Sequence, residues 1–194
     1  MRRPTLAGIA ALVAVALSIP AAQAAPGDVI VSQADPRGDV RLRSYDGGLT
    51  DAQRRTIDMR KVTVEEQSAG AVRFRVKLKQ ITTARKFDQI ILVDLLPDND
   101  EDVWSASVGF SPQDKALGYA YYSPTLDGDD VVSCDPLTTV VRRAKRTVQV
   151  DVPRRCLPKD PAIMVVGSYT GTFRAEGGGY SEDRLRVLGT HDLR

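Results

Sequence analysis

The acidic residues after one apolar run have the types and spacing of a calcium-binding loop. Asp94, Asp98, Asp100 and Asp102 follow that run at alternating or near-alternating positions, and all four carry carboxylate oxygens. Calcium takes about six to eight hard oxygen ligands and tolerates irregular geometry. Glu101 stands where calcium loops usually place a glycine, so a solvated acidic turn is the alternative. The pattern predicts a calcium site.

A second group of carboxylates lies near the start of the chain. Asp35 and Asp39 flank a short segment in which Pro36 and Gly38 shape a turn, and Asp58 follows at the start of a predicted strand. Such a turn directs Asp35 and Asp39 towards each other, which is the arrangement a metal ion needs. The alternative is two turn-forming aspartates and an acid at a strand edge.

Aromatic side chains suggest a binding surface. Tyr119 and Tyr121 fall on one face of an alternating segment, and Trp104 is the only tryptophan of the chain. A tyrosine pair on a solvated face can stack on a sugar ring and donate hydrogen bonds from its hydroxyls. The alternative is that these residues pack in the core.

The residue types argue against most enzymes. A serine hydrolase needs a histidine base, and the single histidine, His191, lies four residues from the end of the chain. Paired carboxylates can hydrolyse glycosides, but the chain has few aromatic residues to form a sugar-binding cleft. The sequence therefore predicts a non-enzymatic protein without a cofactor other than calcium, with an extracellular glycosidase-like hydrolase as the alternative.

The two cysteines predict one disulfide bond. Only one pairing is available, Cys134 with Cys156, and an even number of cysteines is typical of exported domains. Residues 138–143 and 147–152 resemble the arms of a hairpin that turns at 144–146, so paired positions sum to 290, as 134 and 156 do. Two separate thiols are the alternative.

Apolar and polar residues alternate along most of the chain, which predicts β-strands. In residues 72–79 every second residue is apolar and the others are basic, so one face packs and the other is solvated. Residues 90–93 are apolar throughout and predict a strand buried on both faces. Shorter runs predict strands at 62–64, 103–110, 147–152 and 185–187. Anionic wall polymers are one candidate partner for the basic face, and an ordinary solvated strand face is the alternative; the residues of this face are Arg73, Arg75, Lys77 and Lys79.

The beginning of the chain predicts export. Arg2 and Arg3 precede a short apolar stretch, and residues 22–24 form a cleavage site before Ala25, as in a secretory signal peptide. The signal removes two of 27 basic and none of 25 acidic residues, which leaves 25 of each. A net charge near zero disfavours nucleic-acid binding, and no other stretch is long enough for a retained transmembrane helix.

The order of strand patterns resembles known exported proteins. It runs through residues 39–40, 58–64, 71–76 and 91–94, and it is similar to small exported bacterial β-sandwich proteins of unassigned function. It is also similar to jelly-roll domains of the DOMON and family 9 carbohydrate-binding type. The resemblance implies a sandwich that binds sugars or a cofactor, sometimes with calcium.

Together these patterns predict an all-β protein. We expect a signal peptide over residues 1–24 and one antiparallel β-sandwich of jelly-roll type over residues 25–194. Helix is limited to one or two turns beginning after Thr50, the predicted N-cap. The predicted function is a secreted or cell-surface-associated binding module, with carbohydrate or a wall polymer as its partner.

Overall fold

The computed structural model describes most of the chain after residue 26. The described residues are 27–42, 50–67, 70–81, 88–97, 103–110, 117–123, 132–133, 137–171 and 180–193. The predicted signal peptide over residues 1–24 lies outside them. Within these ranges, no helix is both long and apolar enough to cross a membrane.

Twelve strands and one α-helix make up the described secondary structure, with two short 3-10 helices at Arg143–Lys145 and Arg154–Cys156. The helix, α1, spans Asp51–Ile57. The strands are β1 (Val29–Ala34), β2 (Arg41–Leu42), β3 (Met59–Gln67), β4 (Ala71–Leu78), β5 (Asp88–Pro97), β6 (Val103–Phe110), β7 (Leu117–Ser123), β8 (Val132–Ser133), β9 (Thr138–Arg142), β10 (Thr147–Pro153), β11 (Ala162–Gly171) and β12 (Tyr180–His191).

The strands form two antiparallel sheets that pack together. The five-stranded sheet has the order β1-β3-β4-β10-β9, and the seven-stranded sheet has the order β2-β12-β11-β5-β6-β7-β8. Both sheets contribute side chains to one apolar core. The predicted all-β sandwich is therefore confirmed.

The core follows from the alternation of apolar residues along the strands. In β4, Val72, Phe74, Val76 and Leu78 are buried because they occupy every second position, and their neighbours point to the other face. In β5, Ile91, Val93 and Leu95 are buried, whereas Ile90 and Leu92 are half-buried. The prediction that residues 90–93 are buried on both faces was therefore wrong: only one face of this strand meets the core.

Ion pairs cover the outer face of the five-stranded sheet. Arg73 donates two hydrogen bonds to Asp151 of β10, at 2.6 and 2.7 Å. Arg75 donates to Glu65 of β3 at 2.7 Å. The acidic partners come from neighbouring strands, so the alternation within β4 alone could not reveal them. This face is a mixed-charge surface and not the basic one that the sequence predicted.

The β9–β10 hairpin has a register that differs by one from the predicted register. Thr147 pairs with Arg142 and Val148 with Val141, so paired positions sum to 289 and not to 290. The loop contains four residues because a 3-10 turn precedes Arg146, which adopts a left-handed conformation with a φ of 56°. A one-residue difference in loop length shifts every pair of the hairpin.

The helix α1 begins at Asp51, directly after the predicted N-cap Thr50. Its two turns agree with the predicted length. It packs against β11 and β12, and Ile57 at its end is fully buried. Helix α1 thus leads the chain from the edge of the seven-stranded sheet into β3.

Candidate functional site

Asp35 and Asp39 lie on either side of a tight turn between β1 and β2. Gly38 has a φ of 80°, a conformation that glycine adopts without a steric penalty. Its backbone amide donates a hydrogen bond to Asp58 Oδ1 at 3.4 Å. The turn brings the carboxylates of Asp35 and Asp39 together, as the sequence analysis predicted.

Asp183 of β12 completes the cluster, and the sequence analysis missed it. It is 1% exposed, and its Oδ2 accepts a hydrogen bond of 2.6 Å from the backbone amide of Met59. The signal was present in the sequence: Leu185 and Val187 are inward-facing, and two residues earlier the same alternation places Asp183 on the core face. A carboxylate at a core position of a strand requires an explanation.

The three carboxylates form one compact group, which we call the aspartate cluster: Asp35, Asp39 and Asp183. One oxygen from each lies within 4.8 Å of the others. Both oxygens of Asp35 and Oδ1 of Asp183 are buried and have no hydrogen-bond partner among the described residues. Asp35 is 7% exposed, whereas Asp39 lies at the surface. The cluster therefore contains buried oxygens without hydrogen-bond partners among the described residues, and it is open to solvent at Asp39.

The environment of the cluster favours protonated carboxyl groups when no cation is bound. Burial raises the pKa of Asp35 to about 7, and the charges of the neighbouring aspartates add to the rise. Burial also raises the pKa of Asp183 to about 6, although the hydrogen bond from Met59 opposes the rise. A bound cation would remove the repulsion that produces part of these shifts.

Asp58 was predicted to belong to this group, but it has its own positive partners. Its Oδ2 accepts a hydrogen bond of 2.7 Å from Arg60 and lies 3.6 Å from Lys79 Nζ. Asp58 lies beside the aspartate cluster, where its Oδ1 accepts a hydrogen bond from the backbone amide of Gly38. Its carboxylate supports the turn and is not one of the clustered ligand atoms.

The local charge is unbalanced. The aspartate cluster and Asp58 carry four negative charges when ionised, against the positive charges of Arg60 and Lys79, both of which pair with Asp58. In the described part of the chain, no ion pair joins a cation to the three clustered carboxylates.

The first calcium loop predicted from the sequence is described only at its beginning. Asp94 is half-buried in β5, opposite Ser105 of β6 and Val165 of β11. Asp98, Asp100 and Asp102 lie outside the described residues. The calcium site at this loop stays a prediction.

The aromatic candidates are placed by backbone register alone. Tyr119 pairs with Ser107, and Tyr121 pairs with Ser105 on β6 and with Ser133 on β8. Trp104 pairs with Tyr122 on one side and with Leu95 on the other. Along β6, Trp104 therefore alternates with the two positions that pair with Tyr119 and Tyr121. The predicted tyrosine surface stays a prediction.

Of the two cysteines, the structure describes only Cys156. Cys156 ends a short 3-10 helix and packs, half-buried, against the apolar core. Cys134 lies outside the described residues, directly after β8 of the seven-stranded sheet. The hairpin argument for their pairing is wrong, because β9 begins at Thr138 in the other sheet and the register differs by one. The disulfide itself stays a prediction.

Reduction should therefore destabilise the protein without unfolding it. A disulfide that closes a loop of about 22 residues limits the entropy of the unfolded chain and is worth about 3 kcal/mol. Urea denaturation with and without reductant measures this loss, and Cys134→Ser/Cys156→Ser should reproduce it. Two titratable thiols per chain in the denatured, unreduced protein would contradict the pairing.

The two packed sheets agree with the β-sandwich that the sequence resemblance implied. The sugar or cofactor binding that the resemblance also implied stays a prediction. Among the described residues, the aspartate cluster is the group of acids whose possible ligand atoms lie close together. Comparison of the chain with protein-family models, with curated proteins and with solved structures finds no match.

Proposed function

We propose that this chain is an exported, non-enzymatic binding module that holds one calcium ion at the aspartate cluster. The observation that supports this proposal is that both Asp35 oxygens are buried without a hydrogen-bond partner among the described residues, and that one of them lies within 4.8 Å of ligand atoms from Asp39 and Asp183. Leaving such oxygens unsatisfied costs about 1 to 3 kcal/mol each, and more when they are charged. A cation at the centre of the cluster removes that cost.

The donor set favours calcium among the common metal ions. All three ligands are hard carboxylate oxygens, with no histidine or cysteine of the kind that zinc sites use. Calcium binds oxygens at about 2.5 Å, so two oxygens on one ion can lie up to about 5 Å apart. The carboxylates therefore need little movement to share the ion, and water can supply further ligands on the exposed side of Asp39.

The hydrolase alternative is less well supported. Glycosidases place two carboxyl groups about 5 to 10 Å apart, one on each side of the scissile bond. In the aspartate cluster the carboxylates are closer, and Asp35 and Asp183 are buried. A sugar cannot enter between them, whereas a single ion can.

Carbohydrate or a wall polymer is the partner that we propose for the module as a whole. The support for it is the sequence pattern of Tyr119 and Tyr121 and the predicted export. A glycan and wall-polymer array, probed with the secreted chain in calcium and in chelator, tests this partner. Absence of binding in both conditions would reject it and leave the cation site untouched.

Titration calorimetry with calcium chloride tests the cation site. We expect one calcium ion at the aspartate cluster, and Asp39→Asn should weaken the affinity of that site about tenfold or more, since ligand charge sets the affinity of calcium sites. Asp39 is exposed, so this change should leave the fold intact. Asp160→Asn, the same change at an exposed residue outside the cluster, is the matched control and should bind calcium normally. No heat of binding in the wild-type chain would overturn the proposal.

A further inference from the structure

The turn that holds two of the cluster residues also contains an exposed basic residue. Arg37 lies midway between Asp35 and Asp39, and residues 36–39 are all exposed. The next residue, Gly38, has a φ of 80°. Exposed turns with small residues are preferred sites of proteolytic cleavage, and proteases of trypsin-like specificity cut after arginine. The Arg37–Gly38 peptide bond is therefore presented at the surface in a chemically suitable context.

We propose that calcium bound at the aspartate cluster controls proteolysis of the Arg37–Gly38 bond: the calcium-bound turn resists trypsin-like proteases, and the calcium-free turn is cut. This inference rests on the proposed calcium site. The covalent step is ordinary hydrolysis, in which the protease adds one water across the peptide bond. The bond breaks to leave a carboxylate on Arg37 and a free amine on Gly38.

Few other contacts hold the turn in place. In the described part of the chain, residues 36–39 make one hydrogen bond, the 3.4 Å bond from the Gly38 amide to Asp58. Just before the turn, the Asp35 amide donates to the Arg60 carbonyl at 3.2 Å. None of the four turn residues is buried, so apolar packing adds little. A cation held by Asp35 and Asp39 would therefore add to the few contacts that hold the turn among the described residues.

Whether calcium is bound decides if the aspartate cluster stabilises or destabilises the closed turn. Without a cation, those carboxylates of the cluster that are ionised repel one another in a partly buried site, and this repulsion favours an open turn. With calcium, the ion binds Asp35 and Asp39 on the turn and Asp183 on β12, so it ties the turn to the seven-stranded sheet. Opening the turn then requires losing two of the three protein ligands.

A protease acts on the opened turn, because the bond must enter the cleft of the enzyme in an extended form. When opening and closing are fast, the cleavage rate is proportional to the fraction of molecules that are open. A ligand that binds only the closed form lowers that fraction by the factor 1 + [L]/Kd. Calcium at about 100 times its Kd should therefore slow cleavage about 100-fold.

A second exposed basic segment supplies an internal control. Residues 142–146, at the turn between β9 and β10, are exposed throughout and include four basic residues. This turn joins two strands of the five-stranded sheet and contributes no ligand to the cluster. Cleavage there should be independent of calcium, and it corrects for any effect of calcium on the protease itself.

The experiment is limited trypsin digestion of the secreted chain in a series of calcium concentrations and in chelator, at constant ionic strength. Mass spectrometry follows the fragment that begins at Gly38. We expect its rate of formation to fall with calcium and to give the same Kd as calorimetry. At the same saturating calcium concentration, Asp39→Asn should be cut about tenfold faster than the wild type, in proportion to its weaker affinity. Arg37→Gln should lose this fragment while it binds calcium normally.

The outcomes separate this inference from the proposed function. If calorimetry detects calcium binding but the Gly38 fragment forms equally fast with and without calcium, the inference is wrong and the cation site stands. The inference is also wrong if the fragment fails to form in chelator while the 142–146 turn is cut. If calorimetry detects no calcium binding, the proposed function fails first.

Discussion

Acidification from about pH 8 to about pH 5 should stabilise the calcium-free protein. The folded-state pKa of Asp35 is about 7 and that of Asp183 about 6, both raised from 3.8, mainly by burial. In the window between about 4 and about 7 the folded chain binds protons that the unfolded chain releases. The free energy of unfolding therefore falls as the pH rises through this window.

The expected effect is large. One unit of pKa shift corresponds to about 1.4 kcal/mol, so the two groups together give about 4 kcal/mol between these pH values. Urea denaturation in chelator at a series of pH values measures it. The double variant Asp35→Asn/Asp183→Asn should show a flatter pH profile, since neither amide titrates. A wild-type protein that loses stability steadily on acidification through this window would contradict the burial of these carboxyl groups.

Calcium should act against this pH dependence. At the upper end of the window both carboxylates are ionised and repel each other, and this is where a bound cation contributes most. Saturation at about 100 times Kd adds about 2.7 kcal/mol to the free energy of unfolding. The same urea series in calcium should thus give a flatter profile than in chelator. Parallel profiles would place calcium away from Asp35 and Asp183.

Asp58→Ala should be among the most destabilising single substitutions at this end of the sandwich. Asp58 is 2% exposed, and its carboxylate pairs with Arg60 at 2.7 Å and with Lys79 at 3.6 Å. Its removal leaves the guanidinium of Arg60, which is largely buried, without its acidic partner. Breaking a buried pair in this way costs about 3 to 5 kcal/mol, measured as the shift of the urea midpoint at constant slope.

Asp151→Ala provides the matched control. Asp151 also pairs with an arginine at close range, Arg73 at 2.6 Å, but on the outer face of the sheet where both side chains reach water. The side chains of Arg73 and Asp151 are 24% and 20% exposed, so we expect a smaller loss than at Asp58, whose side chain is 3% exposed. Equal losses in the two variants would show that the burial of Asp58 has no energetic role.

Local patterns predicted most of the longer strands, though not β1 or β11, and two of the three residues of the aspartate cluster. Alternation over residues 72–79 identified β4 because apolar residues two positions apart lie on the same face of a strand, and this pattern is local in the sequence. The same holds for Asp35 and Asp39, which one turn of five residues brings together. Both predictions depend on short-range geometry, which a single sequence carries.

The remaining part of the site depends on contacts that no local pattern contains. Asp183 meets the turn only because β12 lies beside it in the fold, and its partner Met59 is 124 residues away in the chain. Asp58 was assigned as a ligand although its closer cationic partner, Arg60, is only two residues away; its second partner, Lys79, comes from the end of another strand. Likewise the register of the β9–β10 hairpin depends on one left-handed residue, Arg146, which the composition of the turn does not reveal.

Gln33 has a consequence for how this protein behaves at high concentration. Its side-chain amide donates to the backbone carbonyl of Arg186 at 3.2 Å and accepts from the backbone amide of Leu188 at 2.7 Å. These are the groups that an intruding strand from another molecule would use to extend the sheet. The side-chain amide of Gln33, which resembles a peptide group, binds both of these groups within the same molecule. The side chain thereby occupies these two groups of β12, beyond the two residues that pair with β2, so that they are not available to a strand of another molecule.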